Sequence, residues 1–210
     1  MNDEGIVHVV RPYTLLSRER IQNVLDCIEQ LEKDKIEGDL VEIGVYKGGV
    51  IMAMALKCQQ LNSNRKIYAY DTYEGMTQPT ENDIDCNFLP ASDMMHESKI
   101  MCYSSLEETK RNVEKTEYNN VVFCKGDIVK TDTSTIPQTI ALLRLDTDWY
   151  ESTTFELQHF EPHVPKKGFV IIDDYGHWQG SRKATDEFLS KNPSIHPIPI
   201  DYTGVYWRKE

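Results

Sequence analysis

Apolar positions along the chain follow two rhythms. Ile21, Val24, Leu25, Ile28 and Leu31 recur at helical spacing behind Ser17, a residue suited to cap a helix, and Gly38 marks the expected stop. Residues 40–43, 66–70, 121–124, 140–143 with Leu145, and 169–172 are instead short, compact β-rich runs, the pattern of parallel strands covered on both faces. Helical runs separate them at 50–60, from the Ser105 capping box to about Lys115, at 152–161 and at 181–189. Residues 195–200 and 204–207 predict a closing antiparallel hairpin, whereas the polar stretch 72–97 has no period and predicts a functional loop. The alternation predicts an α/β doubly wound, seven-stranded, mostly parallel sheet with helices on both faces. It is read as a single domain over 1–210, with an N-terminal helical segment at 1–37 and a lid loop at 72–104. In such sheets ligands sit at the carboxyl ends of the strands, so chemistry is sought there.

Composition narrows the classes. The 210 residues carry 34 acidic and 23 basic side chains, a formal charge of −11, which disfavours binding to nucleic-acid phosphates or to an anionic membrane surface. No apolar run approaches the roughly 20 residues of a membrane helix, and the start lacks a leader pattern, so a cytoplasmic protein is expected. Five cysteines without a CxxC pair suit reduced thiols better than disulfides or zinc.

The unusual residues fall at the strand ends. Glu42-Ile43-Gly44 closes the first strand and Gly48-Gly49 opens a helix, a turn whose amides can approach a ligand, although the spacing is not GxGxxG. Asp71 ends the second strand, where a carboxylate can accept the hydroxyls of a ribose; with Glu42 and Gly44 it suggests a nucleoside-bearing cofactor. Read alone, these are a tight turn and a cap. Asp146 and Asp148 follow the fourth strand at a spacing that places them on one face, and Asp173-Asp174 ends the fifth. Four acids in one pocket repel one another, and a hard divalent cation, Mg²⁺ or Ca²⁺ rather than zinc, removes that cost. The competing reading has Asp173 or Asp174 as a cap and Asp146 paired with Arg144. Tyr46, Tyr73, Trp149, Tyr150, Tyr175 and Trp178 surround the acids as stacking surfaces or ordinary packing. His177 is a general-base candidate or a loop histidine, and His159 and His163 read as solvated.

The segments 38–49, Asp71-Thr72-Tyr73-Glu74-Gly75-Met76, 143–153 and 172–176 with Arg182-Lys183-Ala184, in this order, resemble the macrocin O-methyltransferase family over nearly the whole chain. The resemblance implies a Rossmann-like class I methyltransferase fold. It also implies S-adenosyl-L-methionine and Mg²⁺ as cofactors and methylation of a hydroxyl on a sugar or glycoside, possible acceptors including a nucleotide-linked sugar. Carried over by position, it makes Asp146, Asp173 and Asp174 the metal ligands and Asp146 the general base. Thr14, Leu15, Glu42, Ile43, Gly44, Val45, Tyr46, Asp71, Thr72, Tyr73, Glu74, Gly75, Ser105 and Asp148 then line the cofactor site. Ile43 stands where the family usually has threonine, and Thr147 where it usually has glycine. A homo-oligomer is compatible with these features. Two rival readings remain: Asp146-Thr147-Asp148 as the DxD triplet of a metal-dependent glycosyltransferase, and a non-catalytic ligand-binding module.

Overall fold

The computed structural model describes residues 1–96 and 102–210. Its seven strands are β1 (Asp39–Ile43), β2 (Ile67–Asp71), β3 (Val121–Lys125), β4 (Ile140–Leu145), β5 (Phe169–Ile172), β6 (Ile198–Pro199) and β7 (Val205–Arg208). They lie in the order β3-β2-β1-β4-β5-β7-β6; β1 to β5 are mutually parallel, and β7 runs antiparallel to both β5 and β6. The helices are α1 (Asp3–Val10), α2 (Arg18–Lys33), α3 (Gly49–Gln60), α4 (Ala91–His96), α5 (Leu106–Glu114), α6 (Tyr150–His159) and α7 (Gln179–Lys191). The chain winds outward from β1 to β3, then returns to β4 on the other side, so the order reverses between β1 and β4. That switch point is where a doubly wound sheet opens a crevice.

Strand alternation divides the core into two layers and continues into the site. Leu40, Leu142, Phe169 and Ile171 face α1, α2 and α3, while Val41, Ile43, Leu143, Leu145 and Val170 face the opposite layer with Phe160 and Trp207. Two residues beyond Leu40 stands Glu42, two beyond Leu142 stands Arg144, and two beyond Ile171 stands Asp173, so the apolar face that meets α2 ends in a charged layer.

Helix α2 follows the pattern: Ser17 accepts the Arg20 amide at 3.1 Å, and Ile21, Val24, Leu25, Ile28 and Leu31 are fully buried. It stops at Lys33 rather than at Gly38, because Lys35 already takes a left-handed conformation (φ 55°) and turns the chain toward β1. The hairpin is shorter than expected on its outer strand, where Pro197 and Pro199 remove ladder donors.

The stretch after β2 is built rather than irregular. Trp149 Nε1 donates to the Thr77 carbonyl at 3.0 Å, Gln179 N to the Ile84 carbonyl at 2.8 Å, and Asp85 bridges to Trp178. Asp83 is buried and its Oδ1 accepts the Tyr150 amide at 2.7 Å, capping α6, whose own N-cap residue Trp149 supplies no side-chain cap. Of the expected lid, residues 97–101 lie outside the described residues. A methyl group at Gly180 would fall 2.0 Å from Asp83 Oδ1 and 2.9 Å from the Tyr150 nitrogen. Gly180→Ala is therefore expected to destabilise the fold by about 1–3 kcal/mol, read as a lowered urea midpoint with an unchanged slope.

Candidate active site

A cavity of about 360 Å³ opens at the carboxyl ends of β1, β4 and β5, at the switch point. Its floor begins at the turn between β1 and α3. Gly44 adopts φ 88°, and a Cβ there would lie 1.9 Å from the Asp146 carbonyl oxygen, so only glycine lets the ends of β1 and β4 approach this closely. The Asp146 amide donates to the Ile43 carbonyl at 2.8 Å, fixing the two ends together. Asp71 does not point freely into the cavity: Oδ2 accepts the Val45 and Tyr46 amides at 2.7 and 3.1 Å, and Oδ1 accepts the Tyr73 amide at 2.7 Å. From the far side, Thr109 Oγ1 donates to the Tyr46 carbonyl at 2.9 Å and Asn112 Nδ2 to the Lys47 carbonyl at 3.0 Å. The turn is thus held rigid before any ligand arrives.

Behind the cavity lies the charged layer. Arg144 is fully buried; its Nη1 donates to Glu42 Oε1 at 2.7 Å and to Asp146 Oδ2 at 2.8 Å, and its Nη2 donates to Asp173 Oδ1. Asp173 Oδ2 accepts from Arg20 Nη1, and Arg20 Nε lies 3.0 Å from Asp201 Oδ2, which also accepts from Ser17 Oγ at 2.7 Å. One guanidinium therefore links the ends of β1, β4 and β5, and a second ties that group to the start of α2 and the β6–β7 turn. Burial holds the Glu42 carboxyl well above the usual carboxylate range despite Arg144 beside it, and its Oε2 has no hydrogen-bond partner among the described residues.

In front of this layer Asp146, Asp148 and Asp174 converge, one carboxylate oxygen of each lying within 4.8 Å of the others. Strand alternation does not bring the first two together, because β4 ends at Leu145 and Asp148 takes a left-handed conformation (φ 69°) that turns it back. Burial and then the Asp146 charge push the Asp148 carboxyl up to about 7; Asp174 is raised by burial and by Asp148 and Asp146. Three oxygen donors that repel one another in a partly buried pocket match what a hard divalent cation requires.

Of the expected site residues, Thr14, Leu15, Glu42, Ile43, Gly44, Val45, Tyr46, Asp71, Thr72, Gly75, Asp146, Asp148, Asp173 and Asp174 all line the cavity. Three expected residues stand elsewhere. Tyr73 is buried with its hydroxyl donating to the Ala69 carbonyl at 2.9 Å, Glu74 is paired with Lys125 at 2.8 Å on the surface, and Ser105 caps α5 by accepting the Glu108 amide at 3.2 Å. Asp173, expected as a metal ligand, lines the cavity with both oxygens also paired to arginines, while Asp148, expected at the cofactor, converges with Asp146 and Asp174. The acids do not simply cap, although the expected Arg144–Asp146 pair is present. Among the aromatics, Trp149 and Trp178 are buried edge-to-face at 5.0 Å, and only Tyr46 of the named six reaches the cavity. His177 lines the wall, 3.8 Å from Cys86 Sγ and in edge contact with Tyr202; His159 packs on Phe155 and His163 lies beside the Gln138 carbonyl.

Sequence reading missed Arg20, Tyr202 and Thr203, contributed by α2 and the β6–β7 turn, and Gly126 with Ile128 after β3. The last two carried a signal, a glycine directly after a strand. The others carried none, since their approach depends on how α2 and the hairpin pack.

The profile of the family described as Macrocin-O-methyltransferase (TylF) matches residues 7–209. The 8-demethyl-8-(2,3-dimethoxy-α-L-rhamnosyl)-tetracenomycin-C 4′-O-methyltransferase of Streptomyces olivaceus is 32% identical over 201 residues, covering 93% of this chain and 75% of that protein. Demethyldecarbamoylnovobiocin O-methyltransferase of Streptomyces niveus is 29% identical, covering 100% of this chain and 80% of its own. The solved structure of the O-methyltransferase NovP superposes with a TM-score of 0.84 at 30% identity, over 94% of this chain and 82% of that one. A match that spans both the turn at Gly44 and the carboxylates of β4 and β5 decides against a glycosyltransferase: the chain belongs to the macrocin O-methyltransferase family and is an S-adenosylmethionine-dependent O-methyltransferase.

Proposed function

We propose that this enzyme methylates a hydroxyl group of an uncharged glycoside, with a divalent cation of the Mg²⁺ class held by Asp146, Asp148 and Asp174 and with Asp146 as general base. The observation that carries this reading is the convergence of those three carboxylates beside the rigid turn at Gly44. A sugar hydroxyl is a poor nucleophile at neutral pH. A cation held here supplies Lewis-acid polarisation of the acceptor oxygen. Asp146 keeps one oxygen on Arg144, which leaves the other to take the hydroxyl proton as the new C–O bond forms and the C–S bond of the sulfonium breaks. Arg144 fixes the direction of that carboxylate, and the turn at Gly44 fixes the adjoining floor, so the chain's contribution beyond the proton is positioning.

Charge supports an uncharged acceptor. Glu42, Asp71, Asp146, Asp148, Asp173 and Asp174 all line the cavity, while Arg20 is the only lysine or arginine among the described residues of its wall and is already engaged by Asp173 and Asp201. A nucleoside diphosphate would meet these acids with no free cationic side chain among the described residues of the wall. The name of the Streptomyces olivaceus relative, a methyltransferase of a rhamnosyl-tetracenomycin, supports a glycoside acceptor. The test supplies methyl-labelled S-adenosylmethionine with neutral glycosides and their nucleotide-linked counterparts. Label is expected in glycosides; label confined to nucleotide sugars defeats the uncharged-acceptor reading, and label in neither defeats the sugar reading.

A cation also has a stability signature. The Asp148 carboxyl is raised from 3.8 to about 7 in the folded chain, so the cation-free fold binds more protons than the unfolded chain across that window and loses stability as pH rises through it. Binding of Mg²⁺ replaces those protons. The increase in Tm on adding Mg²⁺ is therefore expected to be larger at about pH 8 than at about pH 6 in a thermal-shift series. An increase that shrinks with pH would contradict the carboxylate site.

A further inference from the structure

One buried carboxyl group has no part in this mechanism. Glu156 on α6 is fully buried; its Oε1 lies 2.9 Å from Thr147 Oγ1, and its Oε2 has no hydrogen-bond partner among the described residues. Thr147 Oγ1 lies in turn 2.8 Å from Ser152 Oγ, which donates to the Trp149 carbonyl at 3.1 Å. Thr147 and Ser152 both line the cavity, so a continuous hydrogen-bonded chain runs from the cavity wall back into α6.

The protons in this chain have a preferred order. A hydroxyl donates only once, so with Ser152 donating to Trp149, Thr147 donates to Ser152 and the link between Thr147 and Glu156 takes its proton from the carboxylic acid. The opposite order would leave an ionised carboxylate buried with one oxygen unpaired, which is costly. Burial, helped by the neighbouring Asp146 and Asp148 charges and opposed by the hydrogen bond with Thr147, raises the Glu156 carboxyl well above its ordinary range, in line with the first order.

Thr147 is the single residue between Asp146 and Asp148, in a turn closed by the Trp149 amide on the Thr147 carbonyl at 2.8 Å. We propose that Glu156 is a positioning residue for methyl transfer: through Thr147 and Ser152 it anchors to α6 the turn that aims Asp146 and Asp148 into the cavity. This rests on the reading of Asp146 as the base. It makes Thr147, the residue between two of the converging acids, part of a latch.

The test compares Glu156→Gln, Glu156→Leu and Thr147→Val for kcat, for the KM of S-adenosylmethionine and for Tm. Glutamine retains a donor to Thr147, so Glu156→Gln is expected to keep kcat within about twofold, while Glu156→Leu and Thr147→Val each lower it by on the order of 10–100-fold with a cofactor KM changed by less than about threefold. A wild-type kcat in Glu156→Leu, or a loss in Glu156→Gln as large as in Glu156→Leu, overturns the proposal. If Glu156→Leu does not fold, Thr147→Val decides, since it removes one hydroxyl without changing volume: a wild-type kcat there overturns the proposal and a lowered one upholds it. Asp146→Asn separates the two layers of inference. If that variant retains full transfer, the reading of the site fails; if it loses transfer while Glu156→Leu does not, only the positioning role fails.

Discussion

Asp146→Asn is expected to lower kcat by about 10²–10⁴-fold while leaving the affinity for S-adenosylmethionine nearly unchanged. The asparagine keeps the shape of the side chain, and its carbonyl oxygen can still accept Arg144 Nη1, which lies 2.8 Å from Asp146 Oδ2. The charged layer behind the site therefore stays connected, and what disappears is a group able to take the acceptor proton together with one anionic oxygen of the cluster with Asp148 and Asp174. Steady-state kinetics beside calorimetric cofactor binding separates these effects: a fall in kcat with intact binding supports the base, and a variant with full kcat removes Asp146 from the chemistry.

The second large effect belongs to Arg144. Arg144→Met leaves Glu42, Asp146 and Asp173 without their shared counterion in a buried layer, and removing one partner of such a group is expected to cost about 3–5 kcal/mol in urea unfolding. Lysine is not expected to restore it, because a single ammonium cannot reproduce a planar guanidinium that reaches β1, β4 and β5 at once. Arg20→Met is expected to be milder, since Asp173 then retains Arg144 and Arg20 sits at the cavity wall rather than behind it. A ranking with Arg20 the more damaging site would mean that the layer is organised from α2 rather than from the sheet.

These residues also show how far a sequence can be read. The stripe Ile21-Val24-Leu25-Ile28-Leu31 and the compact runs of β1, β4 and β5 announce their elements because periodicity is local, and the sheet follows from their alternation. Acids duplicated at the ends of two strands are visible for the same reason, and so is the glycine turn. Partner choice is not local. Asp173 is held by Arg20, 153 positions away in the chain, and Asp148 is turned by a left-handed backbone that no propensity requires. Asp71 reads as a ribose ligand from its place at a strand end, yet its oxygens accept the amides of Val45, Tyr46 and Tyr73, which makes it first a brace for the turn. The stretch after β2 reads as loop because its order comes from Asp83, Trp149 and Trp178 meeting across the fold, not from any repeat within it.

The most direct test measures methyl transfer from labelled S-adenosylmethionine to a neutral glycoside, first with Mg²⁺ and then after complete removal of divalent cations by EDTA. Transfer that stops with EDTA and returns when Mg²⁺ is restored is the predicted result. Transfer that continues at full rate without divalent cations would contradict a site in which Asp146, Asp148 and Asp174 work through a bound cation.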